Sequence, residues 1–284
     1  GLVAEALRPG AVVLVPEGDF TSVSWPFLAR AERGDDIEVH TVPLARLHDA
    51  LAGWMGRLDV VAASVVQSAD GTVTDPAALT AAVHARGARV ALDVTQAAGW
   101  LPLAEGCRDA DWVIGGGYKW LLAPRGTAFL AGTTEALALL HPLGAGWYAG
   151  EHPWDTCYGP LQLASDARRL DISPAWPAWL GQRRSLDLLA EVGVEAIHRH
   201  NLTLANRLRA GMGIAPGDSA IVTLSVPDGT AERLAAAGIR ASVRSGRLRL
   251  SGHVYNSDAE VDRALDVIHD VPETAASLAD SASR

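Results

Sequence analysis

Short apolar runs that end in polar residues recur along the first half of the chain, and stretches with helical spacing lie between them. Ala11–Val15, Asp59–Val66, Val90–Asp93 and Asp111–Ile114 are each long enough for a buried strand and too short for a buried helix. Ile37–Val42 alternates as a half-exposed strand does, and Phe129–Ala131 is a further short run. Helices are expected over Leu2–Leu7, through Leu51–Trp54 and over Asp75–Arg86. Strand, loop, helix and strand in repetition predict crossover connections, hence an α/β fold with a mostly parallel sheet covered on both faces. Ligands of such sheets bind beyond the carboxyl ends of the strands.

After Ala131 the pattern changes. Gly144–Tyr148 and Pro153–Trp154 form a Gly- and Trp-rich connector, read as a substrate rim, with Trp147 in it, or as a dimer surface. From Trp176 to Met212 the apolar spacing predicts long or broken helices. Strands over Ala220–Val226, Ile239–Val243 and Leu248–Ser251, with helices from Thr230 and Asp258, predict a small C-terminal α+β domain. The expected division is a large domain over 1–160, connector and small domain over 161–271, and a frayed polar tail over 272–284.

Composition narrows the partners. The 284 residues are 49% hydrophobic and carry a net charge of −9, which argues against nucleic acid or an anionic membrane and for small solutes. No run approaches the roughly 18 apolar residues of a membrane-spanning helix. Two cysteines, Cys107 and Cys157, make no disulfide framework, which fits a cytoplasmic protein. His198 and His200 point to different helix faces at their spacing, so no metal site is expected.

The chemistry gathers at two strand ends. Asp93, followed by Gln96 one turn later, closes one apolar run; Gly115-Gly116-Gly117 turns the chain after the next and delivers Tyr118 and Lys119. Alone, such an Asp reads as a cap and such a Lys as a solvated side chain. Together they are what pyridoxal 5′-phosphate needs: an amine to hold the aldehyde and a carboxylate to keep the pyridine nitrogen protonated. Trp120 stands where a nucleotide-phosphate loop needs Ser or Thr. Phe20, Ser68, Asp93, Gln96 and Lys119 all follow strand-like runs, as one shared site requires.

Asp93-Val94-Thr95-Gln96, Tyr118-Lys119-Trp120 and Ala123–Thr127 together resemble the core of the class V aminotransferases, a family of fold-type I pyridoxal-phosphate enzymes. The resemblance runs from about residue 1 to 270. It implies that Lys119 and Asp93 are catalytic and that Gln96, Tyr118, Phe20, Thr21, Ser22 and Ser173 also bind the cofactor. In it Phe20 stacks on the pyridine ring; read from the residues alone, Phe20 plugs the core below its loop. Tyr118 donates to the phosphate, as in kynureninases. Ser173 stands for a phosphate-binding threonine reaching into a partner subunit, although this chain lacks the usual glycine there and is a residue shorter. Arg249, in the segment Arg249–Asn256, clamps the substrate carboxylate through two parallel hydrogen bonds. Ser68 takes a polar position near the substrate, or simply a turn before the next helix.

The function implied is a pyridoxal-phosphate enzyme acting on an amino acid, with transamination first, and a carbon–sulfur or kynureninase-like lyase or an epimerase as alternatives. The chain opens at Gly1 within a helix pattern, and relatives have an upstream phosphate-binding Ser/Thr turn, so an incomplete, non-catalytic homologue is a further alternative. A homodimer is expected, because the family site is completed across a two-fold axis. Cysteine desulfurase chemistry is not expected: the stretch Val243–Leu248 before Arg249 holds no cysteine.

Overall fold

A computed structural model describes residues 1–155 and 157–270, and the expected tail over 272–284 lies outside the described residues. The chain divides into two compact units. One comprises Gly1–Ser68 with Thr74–Val192; the other comprises Ala69–Val73 with the chain from Gly193 onward. The expected boundary near 160 and the observed one at Val192 differ by the length of one helix and the segment before it.

The first unit is built on a six-stranded sheet. Its strands are β1 (Val12–Glu17), β2 (Glu38–Pro43), β3 (Val60–Ser64), β4 (Arg89–Asp93), β5 (Trp112–Gly116) and β6 (Ala128–Gly132), in the order β2-β1-β3-β4-β5-β6. The first five pair in parallel, and β6 runs antiparallel against β5 at the edge. β1 extends beyond the expected run Ala11–Val15: Pro16 lies inside it, in register with Val42. β2, at the opposite edge, is half-exposed as expected, but strict alternation fails: Val39 and Val42 are half-buried and both His40 and Thr41 between them are exposed.

Both faces are covered. On one, α1 (Leu2–Glu5) and α2 (Thr21–Glu32) bury Val3, Val23 and Phe27 against Val13, Val15, Ala62 and Ala91. Arg30 of α2 is buried with them and donates from Nη1 to the carbonyls of Ala4 and Leu7, 2.5 and 2.9 Å away, which ties α1 down. Neighbouring residues of the same strands alternate in direction, and Leu14 and Leu92 are fully buried, as are Leu47 and Leu51 of α3 (Leu47–Gly53) and Leu79 of α4 (Pro76–His84). Asp75 caps α4, accepting from the backbone N–H groups of Ala77 and Ala78 at 2.9 and 3.1 Å. Beyond α5 (Thr134–Ala138) the chain is irregular, with 3-10 turns at Trp147–Ala149 and Ala167–Leu170, until α6 (Trp176–Val192). Ser185 of α6 donates to the Leu122 carbonyl at 2.9 Å, so this helix is anchored on the loop that follows Lys119.

The second unit holds a three-stranded antiparallel sheet, β7 (Ile221–Leu224), β8 (Ser242–Arg244) and β9 (Arg247–Ser251), in the order β7-β9-β8. The expected broken helix is real: Gly193, at φ 85°, separates α6 from α7 (Val194–Gly211). With α8 (Thr230–Ala236) and α9 (Asp258–His269), α7 closes a core of Leu208, Val222, Leu224, Leu234, Leu248 and Ile268. Among the described residues no helix is long and apolar enough to cross a membrane.

Candidate active site

The carboxyl ends of β1, β3, β4 and β5 carry Phe20, Ser68, Asp93, Gln96, Tyr118 and Lys119, whereas Trp147 and Ser173 of the same unit lie outside these loops, in the connector. β4 ends at Asp93, which is in register with Ser64 of β3 and Ile114 of β5. The Asp93 carboxylate accepts the Thr95 backbone N–H at 2.7 Å. Thr95 Oγ1 in turn accepts the Gly116 N–H at 3.1 Å, so one threonine locks the end of β4 to the glycine turn after β5. Burial pushes the Asp93 carboxyl above the usual carboxylate range; Asp19 adds to this, while the Thr95 hydrogen bonds and the Lys119 charge oppose it. A cavity of about 210 Å³, walled mainly by apolar side chains such as Phe27, Ile114 and Leu130, reaches Asp93.

Lys119 follows the glycine turn at once, with its Nζ 5.1 Å from the centre of the Phe20 ring and 5.8 Å from that of Tyr118. Phe20 sits at the N-cap of α2 and is 45% exposed, with the Lys119 amine over its ring. Thr21 and Ser22 are the exposed first residues of α2. The Arg125 guanidinium also lies over the Tyr118 ring, 4.4 Å from its centre.

Gln96 and Ser68, both buried, are joined: Gln96 Nε2 donates to Ser68 Oγ at 3.0 Å. Trp120 Nε1 donates to Gln96 Oε1 at 2.9 Å. Ser173 is exposed in the segment before α6, and Trp147 is half-buried in the connector, where its ring lies 5.4 Å from Tyr148 and 4.9 Å from Trp154. Arg249 belongs to β9 of the second unit, where burial and the neighbouring Arg244 draw its pKa below the usual arginine value.

Several contributors carried no sequence signal. Asp19, buried at the end of β1, accepts from Ser64 N at 2.8 Å, Ser64 Oγ at 2.6 Å and Phe20 N at 2.6 Å, pinning the Phe20 turn to β3. Gln182 of α6 accepts from Thr127 Oγ1 at 2.8 Å beneath Gly117. Thr95 stood inside the quoted motif without a role.

The family model for class V aminotransferases matches residues 1–225. The chain belongs to the class V aminotransferase family. Isopenicillin N epimerase of Streptomyces clavuligerus is 29% identical, over 94% of this chain and 76% of its own length. Kynureninase of Deinococcus radiodurans is 30% identical over 72% of this chain, and half of its own length is covered. The cystine C-S lyase C-DES in complex with its product cysteine persulfide superposes with a TM-score of 0.85 at 18% identity, covering 95% of this chain and 78% of that one. The cysteine desulfurase CsdA of Escherichia coli gives 0.79 at 22%, covering 94% and 73%.

The fold is therefore that of the fold-type I enzymes, and the cofactor of this class V chain is pyridoxal phosphate. The residues present fit that group. An amine beside an open aromatic face, a carboxyl held at a strand end, and a buried carboxamide with its donor side fixed match an aldehyde on a flat ring with a basic nitrogen and an anionic oxygen.

Proposed function

We propose that this class V enzyme transfers the amino group of a small amino acid. The observation that carries the reading is the Lys119 ammonium lying 5.1 Å from the open Phe20 ring, at the strand ends where Asp93 also stands. Bound pyridoxal phosphate supplies a carbon that takes up the substrate amine and a protonated ring that draws electrons from the substrate Cα. Lys119 would hold the group through its side-chain amine and would carry a proton to and from the substrate Cα. Asp93 would keep a proton on the group's basic nitrogen, Phe20 would cover the group and exclude water, and Gln96 would donate a hydrogen bond to it. Thr21, Ser22, Tyr118 and Ser173 are the proposed donors to the phosphate, and Arg249, Ser68 and Trp147 the proposed substrate contacts. These roles rest on the motif match.

An epimerase is the second reading, favoured by one finding: isopenicillin N epimerases from two organisms match over 94% and 95% of this chain. Desulfurase chemistry is disfavoured on this chain's own residues, though several relatives carry that name. The β8–β9 hairpin contains no cysteine, burial pushes the Cys107 thiol up to about 11, and Cys157 is exposed in the connector. The homodimer is proposed on the connector's open aromatic surface, where Trp154, Tyr158 and Trp176 are 77%, 95% and 54% exposed. A cytoplasmic setting suits the two free cysteines.

Borohydride reduction of the cofactor-loaded protein, followed by peptide mapping, is expected to fix the label on Lys119; a label on another lysine sinks the assignment. Incubation in D2O with an amino-acid panel and a 2-oxo acid separates the chemistries. Transamination yields a new amino acid and a matching 2-oxo acid in equal amounts. Deuterium at Cα with a mixed configuration and no oxo acid establishes the epimerase instead, and release of a side-chain fragment establishes a lyase.

A further inference from the structure

Gln96 is held by two indoles. Trp100 Nε1 donates to its backbone carbonyl at 2.6 Å, and Trp120 Nε1 donates to its side-chain Oε1 at 2.9 Å. The two rings lie against each other, 5.6 Å between centroids and tilted by 44°. Trp100 is fully buried, and Trp120 and Gln96 are each 6% exposed. An indole N–H donates and never accepts, so Trp120 is satisfied by the carboxamide oxygen and not by its nitrogen. The carboxamide cannot turn over without setting the Trp120 N–H against the Gln96 NH2 in a buried place, which leaves two donors facing each other and an acceptor lost. With the oxygen fixed, Nε2 points to the other side. One of its protons goes to Ser68 Oγ at 3.0 Å, and a second N–H remains on the same nitrogen.

We propose that Trp120 is a positioning residue that fixes the Gln96 carboxamide so that its nitrogen, never its oxygen, is presented toward Ser68 and the cofactor side. This rests on the reading that Gln96 serves the cofactor. The chemical consequence is polarity: the site offers an N–H to an anionic oxygen, where an inverted carboxamide would oppose it with a lone pair. The arrangement also ties three segments into one device, since Ser68 follows β3, Gln96 follows β4 and Trp120 follows β5. Lys119 is the immediate neighbour of Trp120, so the residue that orients the donor also fixes the backbone carrying the amine.

The test begins on cofactor-free protein labelled with ¹⁵N in its glutamine side chains. The Gln96 NH2 protons are expected to exchange at least tenfold more slowly than those of exposed Gln162. Trp120→Phe should abolish that protection. Because the smaller ring can also loosen the core, the decisive variant places 3-benzothienylalanine at position 120, which keeps the shape of the indole and removes its N–H. Loss of protection in this variant supports the proposal; protection unchanged overturns it.

On loaded protein, the 120 isostere and Gln96→Glu are each expected to weaken cofactor binding about tenfold, and the combination little more than either alone. Additive losses overturn the proposal, because they would mean that the two residues act separately. Should the parent chain bind no cofactor, the functional reading fails, while the exchange comparison still decides the role of Trp120.

Discussion

The strand ends around Asp93 and Lys119 and the connector from about residue 141 to Trp176 at the start of α6 belong to one unit and draw on the same residue types, glycine and tryptophan, yet use them in opposite ways. At the strand ends the indoles are buried and act as donors, Trp100 and Trp120 gripping Gln96; at the opposite, amino end of β5 Trp112 does the same, its Nε1 reaching the Ala136 carbonyl at 3.1 Å. In the connector the rings touch one another, with Tyr148 6.1 Å from Trp176 and Trp147 4.9 Å from Trp154, and much of their surface stays open. A buried indole with a fixed acceptor pins geometry. An open aromatic cluster offers area, and area is what a partner uses.

The largest blow to that contrast would come at Asp93. Asp93→Asn is expected to lower turnover by about a hundredfold or more, because a neutral amide holds the ring nitrogen's proton poorly. Its effect on stability runs the other way. Burial raises the Asp93 pKa in the folded chain, so the parent is favoured while the carboxyl is protonated and loses that contribution as pH rises through the folded pKa. Asn does not titrate, so the cofactor-free variant should gain on the parent from the usual carboxylate range upward. Urea unfolding against pH reads this directly, and a gap that widens toward acid would contradict the assignment.

Next in size is the seat of the glycine turn. A methyl group at Gly117 would overlap Gln182 Oε1 and Thr127 Oγ1, the pair that supports the turn from below. Gly117→Ala is expected to cost about 1–3 kcal/mol in chemical denaturation, as overpacking does. A cost near zero would show that α6 yields easily and that the turn is softer than its hydrogen bonds imply.

The smallest effect belongs to the open side of the comparison. Changing Trp154 and Trp176 together to Ser should leave the unfolding midpoint of the monomeric chain nearly unchanged and weaken self-association about tenfold or more by sedimentation. A parent that stays monomeric at every concentration while fully loaded with cofactor would remove the dimer, and with it Ser173, from the proposed site.

Asp93 and Lys119 were legible in the sequence because a buried parallel strand is a plain apolar run whose first polar residue marks its carboxyl end. The antiparallel course of β6 was not, since a short apolar run carries no direction. Asp19 was hidden for a different reason: its partner Ser64 lies 45 residues away, and only the sheet brings them together. The expected division near 160 and the one at Val192 differ because the connector's change in composition precedes the change in packing. Gly181 and Ser185 of α6 pack on Pro124 and Leu122, so the helix stays with the large sheet. The exposure of Phe20 was not legible either, because an aromatic residue at a strand end has the same letter whether it lies open or in the core.

The five residues Ala69–Val73 belong with the second unit although both their flanks belong with the first. Gly71 lies there against Ile221 of β7, where a side-chain carbon would stand 2.7 Å from Ile221 Cβ and 2.8 Å from its carbonyl oxygen. The chain thus passes between the units three times, and no single cut divides it into two whole parts. A gene fragment beginning at Gly193 would encode a small domain missing an inner piece, and one ending at Val192 would carry that piece as an orphan. Recombination that trades the small domain between relatives must therefore carry over a short insert near residue 70 as well, which makes this architecture an inherited pair and not two exchangeable modules.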